Sequence, residues 1–150
     1  MIGIETKLTG DMAGSLDKFA KDVREKVLFS GVASMAKVIY DEVKANTSGV
    51  KDADKFPGVK TGTLHNSVYR VFSPEKSKDE TKLYRISWNK KAAPHGHLIE
   101  FGHWTKKVGK YGPLRPVWVA AHPFLRPAFD HMDAAIAAGK TRMASAIGEL

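Results

Sequence analysis

One apolar pattern, running through the first third of the chain, constrains the fold more than anything else in it. From Ser15 onward, Leu16, Phe19, Val23, Val27, Val32, Met35, Ile39 and Val43 recur at steps of three, four and five. Such steps keep the side chains broadly on one face of an α-helix, whereas a strand requires a period of two. Ser15 suits the N-cap of this helix, and Asp17 suits the positive end of its dipole. Unbroken to Ala45, the helix is about 45 Å long at 1.5 Å per residue. Gly31 in its middle costs about 1 kcal/mol relative to alanine and marks a kink or a close contact. A domain of this size does not cover so long a helix alone, which favours contacts between subunits.

The remaining segments read as shorter pieces laid against that helix. Ile2, Ile4 and Thr6 alternate as a short first strand before Gly10 and Gly14 break the pattern. Residues 46–61 are polar, contain Gly49, Gly58 and Pro57, and read as an exposed loop. Leu64 to Phe72 and Leu83 to Trp88 read as two strands of an antiparallel hairpin, with the charged SPEKSKDE stretch as a long mobile tip. His97 to Phe101 reads as a further extended apolar piece, and the stretch 104–121 as a flexible basic loop, partly extended at Val117 to Val119. The chain closes with an alanine-rich helix whose expected buried face is Leu125, Phe129, Met132, Ile136 and Met143. The fold class is α+β: a single domain over 1–150, with a small antiparallel sheet packed against a long N-terminal helix and a C-terminal helix.

Charge and composition narrow the functional classes. At 150 residues, with 43% hydrophobic and 27% charged residues, the chain has an ordinary globular balance. It contains no cysteine, which removes disulfides and thiolate metal sites. MIGIETKLTG has no basic region followed by an apolar run, so no export signal is expected, and no apolar stretch is long enough for a membrane span. The net charge is +8. Residues 1–50 hold seven Lys/Arg against seven Asp/Glu, whereas Arg85 to His122 hold seven Lys/Arg against Glu100 alone, supplying +6 of that total. Within this region Lys106, Lys107, Lys110 and Arg115 are interleaved with Trp104 and Tyr111, a mixture suited to phosphates and bases or to a solvated loop.

Reactive constellations are sparse. His95, His97, Glu100, His103 and His122 are of the residue types that bind zinc, but on a strand His97 and Glu100 point to opposite faces, and no HExxH pattern is present. We therefore expect no metal site and no cofactor. His65 and Ser67 lie two apart without a nucleophile elbow or a phosphate-binding glycine loop, and the acidic pairs Asp52/Asp54 and Asp79/Glu80 sit in solvated loops. No catalytic residue is assigned. Glu100 is the most informative of these residues, because a carboxylate between Ile99 and Phe101 needs a partner. Arg126 or a lysine of a neighbouring subunit is the expected one.

Three ordered segments carry a family resemblance. Lys60-Thr61-Gly62-Thr63-Leu64-His65-Asn66-Ser67-Val68, His97-Leu98-Ile99-Glu100-Phe101-Gly102 and Pro123-Phe124-Leu125-Arg126-Pro127-Ala128-Phe129 together resemble the tail-component family of long-tailed bacteriophages. Two departures stand out: His103 replaces a small hydroxyl residue, and the link over 104–121 is longer than usual, so the role of its basic residues does not carry over. The resemblance implies a structural, non-enzymatic virion protein of the head–tail junction, assembled in the host bacterial cytoplasm. Its implied partners are further copies of itself in a ring of about six subunits by analogy with tail symmetry, the head-closure proteins, and the tail terminator or tube, with transient non-specific contact to DNA and no membrane. The residues then take expected roles. Gly62 and Gly102 permit tight backbone at strand ends, and Leu64 and Ser67 belong to the strand opening. Pro123 and Pro127 fix the bend into the last helix, while Phe101, Phe124, Leu125 and Phe129 anchor it. Glu100 and Arg126 form a structural or intersubunit pair. Lys106, Lys107, Lys110 and Arg115 line a DNA channel or grip an adjacent ring. The alternatives are a non-specific nucleic-acid-binding accessory protein, a different phage ring such as the tail terminator, or a minor capsid protein.

Overall fold

The computed structural model describes residues 11–50, 58–78, 81–107 and 115–149, with the side chains of 105–107 and 115 outside that description. The first strand expected at Ile2 to Thr6, and Lys110, lie outside the described residues. The dominant element is α1, Met12–Ser48, about 55 Å long. Its N-cap is Asp11 rather than Ser15: Asp11 Oδ1 accepts the Gly14 amide at 2.9 Å, so the helix starts a turn earlier than expected. It also runs on to Ser48, taking the first residues of the expected 46–61 loop.

Beyond α1 come α2 (Thr63–Ser67), β1 (Val68–Phe72), a 3-10 turn (Pro74–Lys76) and β2 (Tyr84–Trp88). These are followed by α3 (Gly96–Phe101), β3 (His103–Lys107), β4 (Arg115–Val119), a second 3-10 turn (Pro127–His131) and α4 (Met132–Gly148). The class is α+β, as the sequence indicates, but the strands form two separate two-stranded antiparallel sheets. In the first, Val68 lies opposite Trp88 and Phe72 opposite Tyr84; in the second, His103 lies opposite Val119 and Lys107 opposite Arg115.

Three expectations need correction. The segment opening at Leu64 is not extended: Gly62, at φ +83°, starts the helical turn α2, and only from Val68 does the chain become a strand. Residues 97–101 are helical. Gly96, Ile99 and Glu100 share a buried face at helical spacing, and Gly102 at φ +73° ends the turn. The stretch 104–121 is not an excursion over its described part, because β3 and β4 pair along its two ends. The charged tip between β1 and β2 is also more organised than expected. The Ser77 hydroxyl donates to the Ser73 carbonyl at 2.8 Å and accepts the Leu83 amide at 3.0 Å.

The core forms where the second half of α1 meets everything else. Ile39, Val43, Leu64, Val68, Ala93, Ile99, Phe124, Ala128 and Ala135 are buried together, with Met35, Ile86, Trp88 and Leu125 packed around them. Beside it, Phe29 of α1 meets Phe72 and Tyr84 at ring distances of 5.0 and 6.0 Å, fastening the β1–β2 hairpin to the helix. Among the described residues, no helix is long and apolar enough to cross a membrane.

α4 lies antiparallel along α1; of the expected face, Leu125 packs against the core and Met143 against Gly31, but the fully buried positions of the helix are small ones. Its buried positions are Ala135 and Gly139, whereas Phe129 is 54% exposed and Met132 and Ile136 stand at the rim. A Cβ on Gly139 would sit 2.5 Å from Met35 Cγ, and one on Gly31 would sit 2.4 Å from Met143 Cγ. The glycine in the middle of α1 therefore marks a close helix contact, and the methionines fill the space between the axes.

The apolar stripe of α1 does not stay on one face. Ile39 and Val43 are buried, but Leu16 and Phe19 are 59% and 60% exposed. Leu16 and Val43 are about seven and a half helical turns apart, and Val23 and Val43 about five and a half, so each pair points in opposite directions. The step of five between Val27 and Val32 is where the stripe changes sides, a rotation of about 140°.

The close α1–α4 contact makes a prediction. Gly139→Val is expected to destabilise the protein by about 1–3 kcal/mol through overpacking, lowering Tm by about 2–4 °C per kcal/mol. Ile136→Ala should cost less, as thermal unfolding followed by circular dichroism would show; the reverse order would restore the large residues as the buried face.

Candidate functional site

The most constrained site in the molecule is built on Glu100. The residue is 2% exposed, at the C-terminal end of α3, with Ile99 beside it in the core. A carboxylate so placed must find hydrogen-bond donors inside the protein. It finds them in three consecutive backbone amides. Phe124 N and Leu125 N donate to Oε2 at 2.7 and 3.0 Å, and Arg126 N donates to Oε1 at 3.2 Å. Pro123 and Pro127 bracket this tripeptide, and proline has no N–H. Every amide donor that the Pro123–Pro127 run possesses is thus directed at one side chain.

Arg126 completes the clasp. Its Nε donates to Glu100 Oε1 at 3.2 Å and its terminal nitrogen to the Glu100 carbonyl at 2.8 Å. The pair therefore forms within one chain. The guanidinium then lies over the Phe101 ring, 5.3 Å from its centroid. Phe101 is otherwise 61% exposed and does not anchor the last helix in the core, contrary to expectation. Phe124, fully buried, fills that role: its ring meets Trp88 edge-on at 5.4 Å, and its carbonyl accepts from Asn46 of α1 at 3.1 Å. Pro127 stands at the start of the second 3-10 turn, where its missing N–H costs nothing.

The other motif residues are structural in the same sense. Leu64 is fully buried, and the Ser67 hydroxyl donates to the Leu64 carbonyl at 2.8 Å. His65 Nδ1 lies 3.1 Å from Thr47 Oγ1 and from the Lys44 carbonyl, so it faces α1 and not Ser67. Gly102 is required on two counts: its φ is +73°, and an added Cβ would stand 2.8 Å from the Val119 carbonyl and 2.7 Å from the Trp118 ring. Gly62 also has positive φ but open surroundings. The histidines do not converge. His95 is buried, His97 is exposed with Nδ1 2.7 Å from the Pro94 carbonyl, and among the described residues no three His, Asp or Glu side chains are arranged to hold a metal.

A second feature is the β3–β4 hairpin. Its register sets Trp104 opposite Trp118, with ring centroids 5.4 Å apart, and both are exposed, at 67% and 49%. Lys106 and Lys107 fall on β3, and Arg115 on β4 opposite Lys107, so two cationic positions share the outermost rung. Sequence spacing could not reveal the Trp104–Trp118 pair, because residues 108–114 separate the strands and no turn signature fixes the register.

The clasp predicts an asymmetry between its two charged members. Glu100→Ala leaves three amides and the Arg126 Nε without their acceptor and is expected to cost about 3–5 kcal/mol. Arg126→Ala removes a partner whose side chain is 60% exposed and should cost about 1 kcal/mol. Denaturant unfolding of both variants decides it: equal losses would show that the ion pair, and not the amide clasp, holds the C-terminal segment.

The chain belongs to the family described as "Bacteriophage HK97-gp10, putative tail-component", which it matches over residues 10–102, more than half its length. That range takes in α1 to α3 and ends at Gly102, so the β3–β4 hairpin, the Pro123–Phe129 segment and α4 fall beyond it. No curated protein and no solved structure matched the chain. The family is one of phage tail components and not a class of enzymes.

Proposed function

We propose that this phage tail component works at the head–tail junction, as a tail-completion protein that joins the tail to the DNA-filled head. One observation carries most weight: the three motif segments each contribute a buried side chain to one hydrophobic core, Leu64, Ile99 and Phe124, beside which the Glu100 clasp closes. Leu64, Ile99, Glu100 and Phe124 are all buried, and the Ser67 hydroxyl and His65 imidazole meet backbone carbonyls of Leu64 and Lys44. Residues that the sequence marks most clearly thus serve rigidity. Rigid subunits with exposed aromatic and basic surfaces suit a virion ring, where each copy contacts further copies and the rings above and below.

In this reading about six copies encircle the DNA channel, and the partners are the head-closure proteins on one side and the tail terminator or tube on the other. Lys106, Lys107, Lys110 and Arg115 face DNA or the adjacent ring. Contacts with DNA are weak and salt-sensitive, because the genome must slide past. The basic hairpin also favours a second reading, a non-specific nucleic-acid-binding accessory. Another ring position, such as tail terminator or minor capsid protein, is the third.

Deleting the gene from its phage and imaging the lysate by electron microscopy separates these readings. Filled heads with detached, otherwise complete tails are expected. Normal joined virions would refute the junction role, and a block in genome replication would favour the nucleic-acid reading instead.

A further inference from the structure

The exposed indoles of the β3–β4 hairpin are seated rather than loose. Trp118 lies across Gly102, where an added Cβ would stand 2.7 Å from its Cζ2 atom, so the lack of a side chain at 102 makes room for the ring. Trp104, opposite it in the register, leans on that ring with the two planes at 59°. Trp118 is thereby held on two sides, while Trp104 keeps most of its surface open. A two-stranded ribbon is marginally stable by itself, and a cross-strand aromatic pair supports it. No third strand joins this sheet among the described residues.

The charges along the hairpin have one sign. Lys106, Lys107 and Arg115 occupy its two outer rungs, and no Asp or Glu stands between Glu100 and Asp130 in the chain. Glu100 itself is buried and engaged by the amides of Phe124, Leu125 and Arg126. The chemistry that complements this surface is an anion carrying flat rings. The chain's other uncovered sheet face does not supply it. There Tyr69 and Val71 are exposed, Arg85 lies opposite Val71, and Lys90 and Lys91 follow β2, so that face is cationic too. Lysine is also depleted where proteins dock on one another, whereas it is common against phosphates. Base faces inside a duplex are covered by their neighbours, so an indole stacks only on bases that have left the helix.

We infer that the Trp104–Trp118 hairpin is a binding site for single-stranded nucleic acid. A base stacks on Trp104, Trp118 positions that ring, and Lys106, Lys107 and Arg115 answer the phosphates of the strand. The inference deepens the DNA contact of the proposed reading and rests on it only for the source of the strand. Binding is a property of the purified chain, so this titration and the gene deletion fail independently.

The full-length protein is titrated with labelled oligothymidylate of about twenty nucleotides, longer than one small stacking site. Three other probes accompany it: a base-free deoxyribose-phosphate oligomer of the same length, an end-closed duplex, and polyglutamate. Oligothymidylate is expected to bind at least about ten-fold tighter than any of the three and to quench tryptophan fluorescence, with affinity falling as salt rises. Trp104→Leu should abolish the preference over the base-free oligomer, and Trp104→Phe, which keeps a ring, should retain it. Equal affinity for oligothymidylate and the base-free oligomer would reduce the hairpin to a charged surface and overturn the inference. So would a duplex bound as tightly as the single strand, no binding at low salt, or a preference lost in Trp104→Phe or kept in Trp104→Leu. Polyglutamate bound as tightly as oligothymidylate would overturn it in favour of an acidic protein partner.

Discussion

A carboxylate closed off from water has to be matched donor by donor, and the position of Glu100 makes that requirement the constraint on which the rest of the fold depends. Its oxygens take the amides of Phe124, Leu125 and Arg126. Those amides can be so directed because the prolines on either side contribute none. Once they are fixed, Phe124 is held in the core against Trp88, its carbonyl is reached by Asn46 of α1, and the chain leaves Pro127 aimed along α1. α4 then comes close enough for Gly31 and Gly139 to matter. The order of causes runs from one buried side chain to a bent tripeptide, to a turn, to the packing of two helices.

Where sequence reasoning succeeded and where it did not has a physical pattern. The existence of α1 was legible because steps of three, four and five sustained over about seven and a half turns have no competing interpretation. Its rotation was not, because a single step of five between Val27 and Val32 looks like tolerance in the pattern, yet it carries the stripe to the other side. α3 was misread as extended because six residues are too few for a period to declare itself; the neighbouring glycines, one closely covered by Trp88 and the other at positive φ, were the signal available. The partner of Glu100 was legible as Arg126. The amides were not, although Pro-x-x-x-Pro beside a lone buried acid is a pattern that points to them. The face of α4 was legible at Leu125 and Met143 but not at Phe129, Met132 and Ile136, because pattern reading ranks large residues as core and the closest part of this contact selects Ala135 and Gly139.

These features fit a component that works by holding its shape. The family match over residues 10–102 places the protein among phage tail components, and within that range lie α1, the first hairpin and the carboxylate half of the clasp. The remainder supplies the amide half of the clasp, the closing helix and the Trp104–Trp118 hairpin with its cationic rung. In the junction reading, the first part gives a rigid body and the second gives the surfaces by which that body meets a ring, a channel or a neighbour.

The measurement closest to the central claim is an electron cryo-microscopy reconstruction of the intact virion around the neck. The account predicts a ring of subunits between the head-closure proteins and the tail tube, into which the α1–α4 pair and the Glu100 clasp fit without rearrangement. Density for this fold elsewhere in the tail, or its absence from the particle, would contradict it.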